Sequence, residues 1–311
     1  MLSNLEIILP VFLLIGLGYL SALRGLFSSD NCDVVMKFAQ TFAIPALLFT
    51  AVAKLDLATV FQPELLLSYY TGAATVFILG IVIARVVFKR RPGEAVAIGF
   101  TSMFSNTVLL GLPIMERAFG TDALQPVYAI IAIHAPFCYI TGITTMELAR
   151  AGGQPLGKTL KRIAHEVLTN ALTIGIILGF IVNLSGLQLP NFVWSPIQML
   201  VTAALPAALF ALGGILVRYK LADRFGETVV VLILRLFVHP AIAYTLSHVI
   251  FAMPIEFVRA AVLVAAMAPG VNVYIFANMY DRAKGTAANS VIIGTATAIL
   301  SISFWLFVLG T

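Results

Sequence analysis

Two asparagines stand close to prolines inside runs that are otherwise apolar. Asn106 and Thr107 precede Pro113, with Gly111 between them, and Asn272 follows Pro269-Gly270. Proline has no N–H and clashes with the carbonyl one turn back, so each of these runs must break its helical ladder where lipid cannot repair it. Such a break persists only where the freed groups face protein or a watery cavity. A helix that restarts after it presents N–H groups and the positive end of its dipole, a place suited to a carboxylate. Asn106, Thr107 and Asn272 add side-chain donors there, and Asn278 is a further candidate contact. Two interrupted helices in corresponding parts of two halves point to the binding site of a secondary transporter.

Other polar residues lie deep in apolar runs: Arg235, His239-Pro240 and His134-Ala135-Pro136. A charge at the bilayer centre costs about 2.5–3.5 kcal/mol, so Arg235 must face the interior of the protein or a cavity. It either neutralises an anionic substrate or has a structural role, capping backbone carbonyls freed by Pro240 or snorkelling to a surface. His134 and His239 either relay protons or act as buried hydrogen-bonding groups. Gln40, just before Pro45, is a weaker candidate for the same cavity, while Arg85 and Glu147 are expected to snorkel from the span ends.

Several chemistries are disfavoured. The span centres carry no carboxylate, which argues against a carboxylate-built sodium site. His165-Glu166 begins like a zinc-protease motif, but Thr169 stands where the second histidine belongs, and no Walker-type loop is present. The expectation is therefore a protein that is not an enzyme and holds no metal or cofactor. Cys32 and Cys138 read as small apolar residues.

The elements that must position these residues are membrane spans. The chain of 311 residues is 60% hydrophobic and 11% charged, against about 25% charged in soluble domains, and its mean hydropathy is +1.02. The net charge of +5 does not indicate nucleic acid, because the basic residues fall in short links between apolar runs. Runs long enough to span occur near 5–24, 33–53, 65–88, 95–118, 122–147, 166–184, 192–217, 228–250, 256–280 and 286–309. Links after odd-numbered spans hold fourteen Lys and Arg, including Arg150 and Lys220, and links after even-numbered spans hold only Lys54, Arg117 and Arg259. The basic links are thus expected in the cytoplasm and both termini on the periplasmic side. The N-terminus lacks the basic region of a cleaved signal peptide, so the first span is expected to be retained.

The expected fold is an all-α integral membrane protein of ten transmembrane helices, arranged as two inverted five-helix repeats with broken crossing helices four and nine. With five spans per half, the second half enters the bilayer from the opposite side. Ile44-Pro45-Ala46-Leu47-Leu48-Phe49 is matched by Leu205-Pro206-Ala207-Ala208-Leu209-Phe210 at an offset of 161 residues. The expected divisions are 1–147, a cytoplasmic linker at 148–165, and 166–311.

The run Asn106 to Ile114, NTVLLGLPI, followed by Phe119-Gly120, closely resembles the fourth-helix signature of the auxin efflux carrier family, which includes plant PIN carriers and bacterial malonate and malate permeases. Pro269 to Ala277, PGVNVYIFA, ending at Tyr280, resembles its ninth-helix signature. The resemblance covers essentially the whole chain. It implies a homodimeric scaffold of helices 1, 2, 6 and 7 holding a mobile transport domain of helices 3–5 and 8–10, with the substrate carboxylate at the crossing near Asn106, Pro113 and Pro269. Asn272 stands where plant carriers tend to place an apolar residue, which suits a smaller, more polar acid than auxin.

The sequence therefore reads as a multi-pass transporter of small organic anions, such as malonate or malate, in a bacterial inner membrane. Protons or sodium are candidate coupling ions. The alternatives are a sodium-coupled symporter of the bile-acid type, an anion channel, and a membrane enzyme or sensor with a small-ligand pocket.

Overall fold

Prolines and short polar residues set most of the helix boundaries. Pro63 and Pro92 stand in the first turn of their helices, where a missing N–H costs nothing, and the side chains of Ser28 and Asn170 accept from the N–H groups of Asn31 and Leu172 at 3.2 and 2.9 Å. Gly120 and Gly186 end their helices at φ of 86° and 64°, a conformation open to glycine. The computed structural model describes residues 2–149, 156–219 and 224–310; Arg150 and Lys220 lie outside the described residues.

Apart from a single turn at Leu57–Val60, the helices are α1 (Leu2–Leu23), α2 (Ser29–Ala53), α3 (Pro63–Val86), α4 (Pro92–Met103), α5 (Leu112–Phe119), α6 (Leu124–Ala149), α7 (Leu156–Leu168), α8 (Ala171–Ser185), α9 (Asn191–Leu216), α10 (Phe225–Ile250), α11 (Ile255–Ala265), α12 (Asn272–Tyr280) and α13 (Lys284–Val308). Seven of them, α1, α2, α3, α6, α9, α10 and α13, are long and apolar enough to cross a membrane. The expected fourth and ninth spans are each divided, into α4 and α5 and into α11 and α12. The expected sixth is parted at Thr169-Asn170, leaving α8 with 15 residues, and the described end of the 148–165 stretch is already helical in α7.

Three widened turns share one relation to proline. The five-residue π segments Ala39–Ala43, Thr107–Gly111 and Leu234–Val238 each end two residues before Pro45, Pro113 and Pro240. The N–H just before each proline, on Ile44, Leu112 and His239, reaches back five residues to Ala39, Thr107 and Leu234. Widening the turn gives the ring room and reassigns the hydrogen bonds that proline disrupts.

The chain forms two compact units. One comprises Met1–Ile8, Phe61–His165 and Lys220–Thr311. The other comprises Leu9–Val60 and Glu166–Tyr219. Each draws on both sequence halves, and α1 is divided between them after Ile8.

In the first unit, α4 and α11 form the interior. Every residue of α4 from Ala95 onward and of α11 from Ala260 onward is buried, as expected for helices apolar on all faces. Close packing relies on small residues: a Cβ on Gly80 of α3 would stand 2.9 Å from the Gly99 Cα of α4. Phe100 stacks on Phe276 at 3.8 Å. At one edge of the unit, buried Glu227 accepts from Arg90 and from Thr286 Oγ1, the latter at 2.6 Å, joining α10, the α3–α4 link and α13. Arg117 donates to the carbonyls of Ile7 and Glu6 at 2.8 and 3.3 Å; the Glu6 carbonyl is the one that Pro10 leaves without a helical partner. Glu147 is buried at 5% exposure rather than extended to the surface, whereas Arg85 is exposed as expected.

In the second unit, α8 lies directly on α2. A Cβ on Gly175 would stand 2.5 Å from the Pro45 carbonyl oxygen. Asn183 Nδ2 donates to the carbonyls of Val52, Ala53 and Leu55 at 3.0, 3.3 and 2.7 Å, closing the C-terminal end of α2. Arg218 pairs with Asp33 and Asp30 at the other end of that helix. Cys32 and Cys138 are free, buried thiols, one in each unit.

Candidate functional site

The two breaks in the first unit meet. Phe104 leaves α4 in an extended conformation, and Ser105 pairs with Pro269 as an isolated antiparallel bridge. The rungs are Asn106 N–H to Ala268 O at 2.9 Å and Gly270 N–H to Phe104 O at 3.4 Å. Both flank the Ser105–Pro269 pair, so neither partner of that pair uses its own N–H in the ladder. Pro269, which has none, therefore fits the bridge without loss. Ser105 does have an N–H, and it donates outward to His134 Nε2 at 3.2 Å. Its hydroxyl donates to Val264 O at 2.7 Å.

Immediately after the bridge both chains turn helical again, which brings two helix N-termini to the crossing. Asn106 caps the first: its Oδ1 accepts from Leu109 N–H at 3.3 Å, and its carbonyl accepts from Leu110 and Gly111 at 3.3 and 3.1 Å. Asn272 is the first residue of α12 and is half-buried, while Asn106 and Thr107 are buried. Asn106 Nδ2, Thr107 Oγ1 and the Asn272 side-chain amide have no hydrogen-bond partner among the described residues. The crossing thus holds unspent polar side chains beside two positive dipole ends, an arrangement that can receive an anion. Pro113 lies farther along, inside α5, where it shapes the π turn that follows Asn106. Asn278 is exposed in the last turn of α12, away from this N-terminus, and Gln40 belongs to the other unit.

The first halves of the broken helices end at Arg235. This residue is fully buried in the π turn Leu234–Val238, and it donates through Nε to Met267 O at 3.0 Å and through Nη1 to Met103 O at 2.8 Å. Nη1 also donates to His239 Nδ1 at 2.8 Å, which leaves the proton of that ring on Nε2, where it donates to Tyr69 O at 2.9 Å. Charge-assisted hydrogen bonds contribute about 1.5–3 kcal/mol each, so three of them offset the cost of about 2.5–3.5 kcal/mol for a cation at this depth. Arg235 thus caps carbonyls, but those at the ends of α4 and α11 rather than the Leu236 carbonyl that Pro240 frees, which accepts from Trp305 Nε1 at 2.9 Å.

His134, accepting at Nε2, carries its proton on Nδ1, which faces Tyr69 Oη at 3.4 Å. His134 and His239 thus reach the same residue, one at its hydroxyl and the other at its backbone carbonyl, and a carbonyl passes no proton onward. Tyr69 and Ser105, which connect these groups, were not among the residues singled out by sequence. Glu227 was also missed. Only the outward N–H of a paired break could have pointed to Ser105, and that pairing is non-local.

The sequence model of a family described as membrane transport protein matches residues 4–306. The chain belongs to this family. It is the auxin efflux carrier family that the helix-four and helix-nine motifs resemble, and its members are multi-pass membrane transport proteins rather than enzymes. Relatives match over nearly their whole lengths. An uncharacterized transporter of Methanocaldococcus jannaschii is 25% identical, with 98% of each chain covered. A protein of Rhizobium meliloti whose name proposes malonate transport is 23% identical, covering 97% of this chain and 95% of the relative. Auxin efflux carrier component 8 of Arabidopsis thaliana is 23% identical, covering 96% and 95%.

Proposed function

We propose that this member of the family is a secondary active transporter of small organic anions, mono- or dicarboxylates such as malonate or malate, with the substrate at the crossing. The observation that carries this reading is the Ser105–Pro269 bridge, which brings two helix N-termini together with the unspent groups of Asn106, Thr107 and Asn272. Half-helix N-termini of this kind receive anionic substrate groups in transporters. The relative named for malonate transport supports a small acid, though at 23% identity it does not select among acids.

The architecture we infer is ten spans in two inverted repeats. Helix starts recur 160 to 163 residues apart, from α2 to α9, α3 to α10, α4 to α11 and α6 to α13. The division into two compact units, one holding the whole crossing, suits elevator-type alternating access in which that unit moves. A homodimer, a bacterial inner membrane and periplasmic termini complete the reading.

Uptake of labelled malonate into proteoliposomes tests it, with Asn106→Ala as the control and proton and sodium gradients varied separately. Saturable uptake lost in the folded variant is the expected result. Saturable uptake with unchanged affinity in Asn106→Ala would remove the crossing as the site. Uptake only with sodium would favour the bile-acid-type alternative, and uptake without saturation would favour a channel.

A further inference from the structure

Arg235 contacts the two broken helices at equivalent places. Met103 stands two residues before Ser105, and Met267 two residues before Pro269. One guanidinium therefore joins both chains at the same register, just ahead of the rungs made by Asn106 and Gly270. The two acceptor carbonyls lie at the C-terminal ends of α4 and α11, where the helix dipoles are negative and a cation is favoured. Among the described residues Arg235 makes no ion pair, and its Nη2 has no hydrogen-bond partner. Its place in the fold is fixed from a third side as well. His239 holds Nη1 and is itself held to the Tyr69 carbonyl of α3, and a Cβ on Gly72 would stand 2.5 Å from His239 Cδ2, so α3 lies against the ring.

We propose that Arg235 is the positioning residue of the crossing. It clamps the ends of α4 and α11 together and cancels their negative dipole ends. It thereby fixes the spacing at which the N-terminal groups around Asn106 and Asn272 receive an anion, without touching that anion. The fork geometry matters: Nε and Nη1 reach two carbonyls and one imidazole from a rigid plane, which a lysine ammonium on a flexible stem does not reproduce. The proposal about the anion rests on the functional reading above; the clamp itself does not.

Two measurements on Arg235→Gln and Arg235→Lys separate the claims. Hydrogen exchange reads the clamp directly, in peptides covering 104–110 and 266–272. Protection there is expected to fall by about tenfold or more in both variants, while peptides from α13 keep theirs. Unchanged protection at the rungs overturns the clamp, and so does an equal loss throughout the unit, which marks a general loss of packing. If Arg235→Gln does not yield folded protein, Arg235→Lys carries the comparison alone.

Proteoliposome uptake then reads the consequence. The KM for malonate and the inhibition constant of a monocarboxylate such as acetate should rise together, by about tenfold, with their ratio unchanged within about twofold. Selective loss of the dicarboxylate overturns the proposal in favour of direct contact with a second carboxylate. A lower maximal rate at unchanged KM overturns it in favour of a role in folding alone. If the unaltered protein transports no acid, the anion reading fails, and hydrogen exchange still decides the clamp.

Discussion

Asn106 donates its backbone N–H to the carbonyl of Ala268 at 2.9 Å, and its side chain caps the helix that begins one residue later. The same residue thus joins the two broken helices and starts one of the half-helices that face the crossing. Its amide nitrogen is left over, with no partner among the described residues.

These roles can be separated by Asn106→Ser. Serine is about as good an N-cap as asparagine, so thermal unfolding should shift by less than about 0.5 kcal/mol, whereas Asn106→Ala loses about 1 kcal/mol with the cap. If the leftover Nδ2 contacts substrate, both variants should raise the KM for malonate by about tenfold or more. A normal KM in Asn106→Ser would confine the side chain to capping.

Glycine positions around the site should differ sharply. At Gly270 an added Cβ would meet Asn106 Cα at 3.5 Å, ordinary contact, so Gly270→Ala should fold with a stability change within about 1 kcal/mol. At Gly72 it would meet His239 Cδ2 at 2.5 Å and the His239 carbonyl oxygen at 3.2 Å. Gly72→Ala should therefore cost about 1–3 kcal/mol in thermal unfolding and displace His239 from Arg235.

Glu227 is buried and takes hydrogen bonds from Arg90 and Thr286. Glu227→Gln leaves the partly exposed Arg90 with only Glu94, at 3.9 Å, as a counter-charge, and the expected loss is about 1–3 kcal/mol. A double-mutant cycle with Arg90→Gln should show coupling of about 0.5 kcal/mol or more. Additive losses would show that the pair contributes no interaction energy of its own.

Asn183→Ala should act on the other unit. It removes three hydrogen bonds to the carbonyls that end α2 and should destabilise the protein by about 1–3 kcal/mol. Hydrogen exchange should rise in peptides of α2 and α8, with those covering the Ser105–Pro269 bridge unchanged. Loss of protection at the bridge would show that the two units unfold as one.

Much of this was legible in the sequence because it depends on local chemistry. Pro113 and Pro269 cannot continue a regular ladder, and the residues around them disrupt apolar runs wherever the chain goes. The sequence accordingly placed an interruption in each run, with Asn106, Thr107 and Asn272 near it, and nearly all of the long helices, but the first break falls at Phe104–Asn106, ahead of Pro113. It did not expect α8 to be as short as 15 residues, because Thr169 and Asn170 are compatible with a membrane helix until the Asn170 side chain caps the next turn.

What the sequence could not decide was the use made of residues whose partners are distant. It showed an arginine in an apolar run and two histidines beside prolines. Met103 lies 132 positions from Arg235 and Met267 lies 32, so only the folded chain could make those carbonyls its acceptors. Glu147 looked like a residue free to extend to the surface until neighbouring helices enclosed it. Breaks such as that at Pro269 follow from bonds that the chain cannot make with itself nearby, and residue type alone announces those. Their pairing, and the cation that holds them, follow from bonds made across the fold, which exist only after α4, α10 and α11 have packed together.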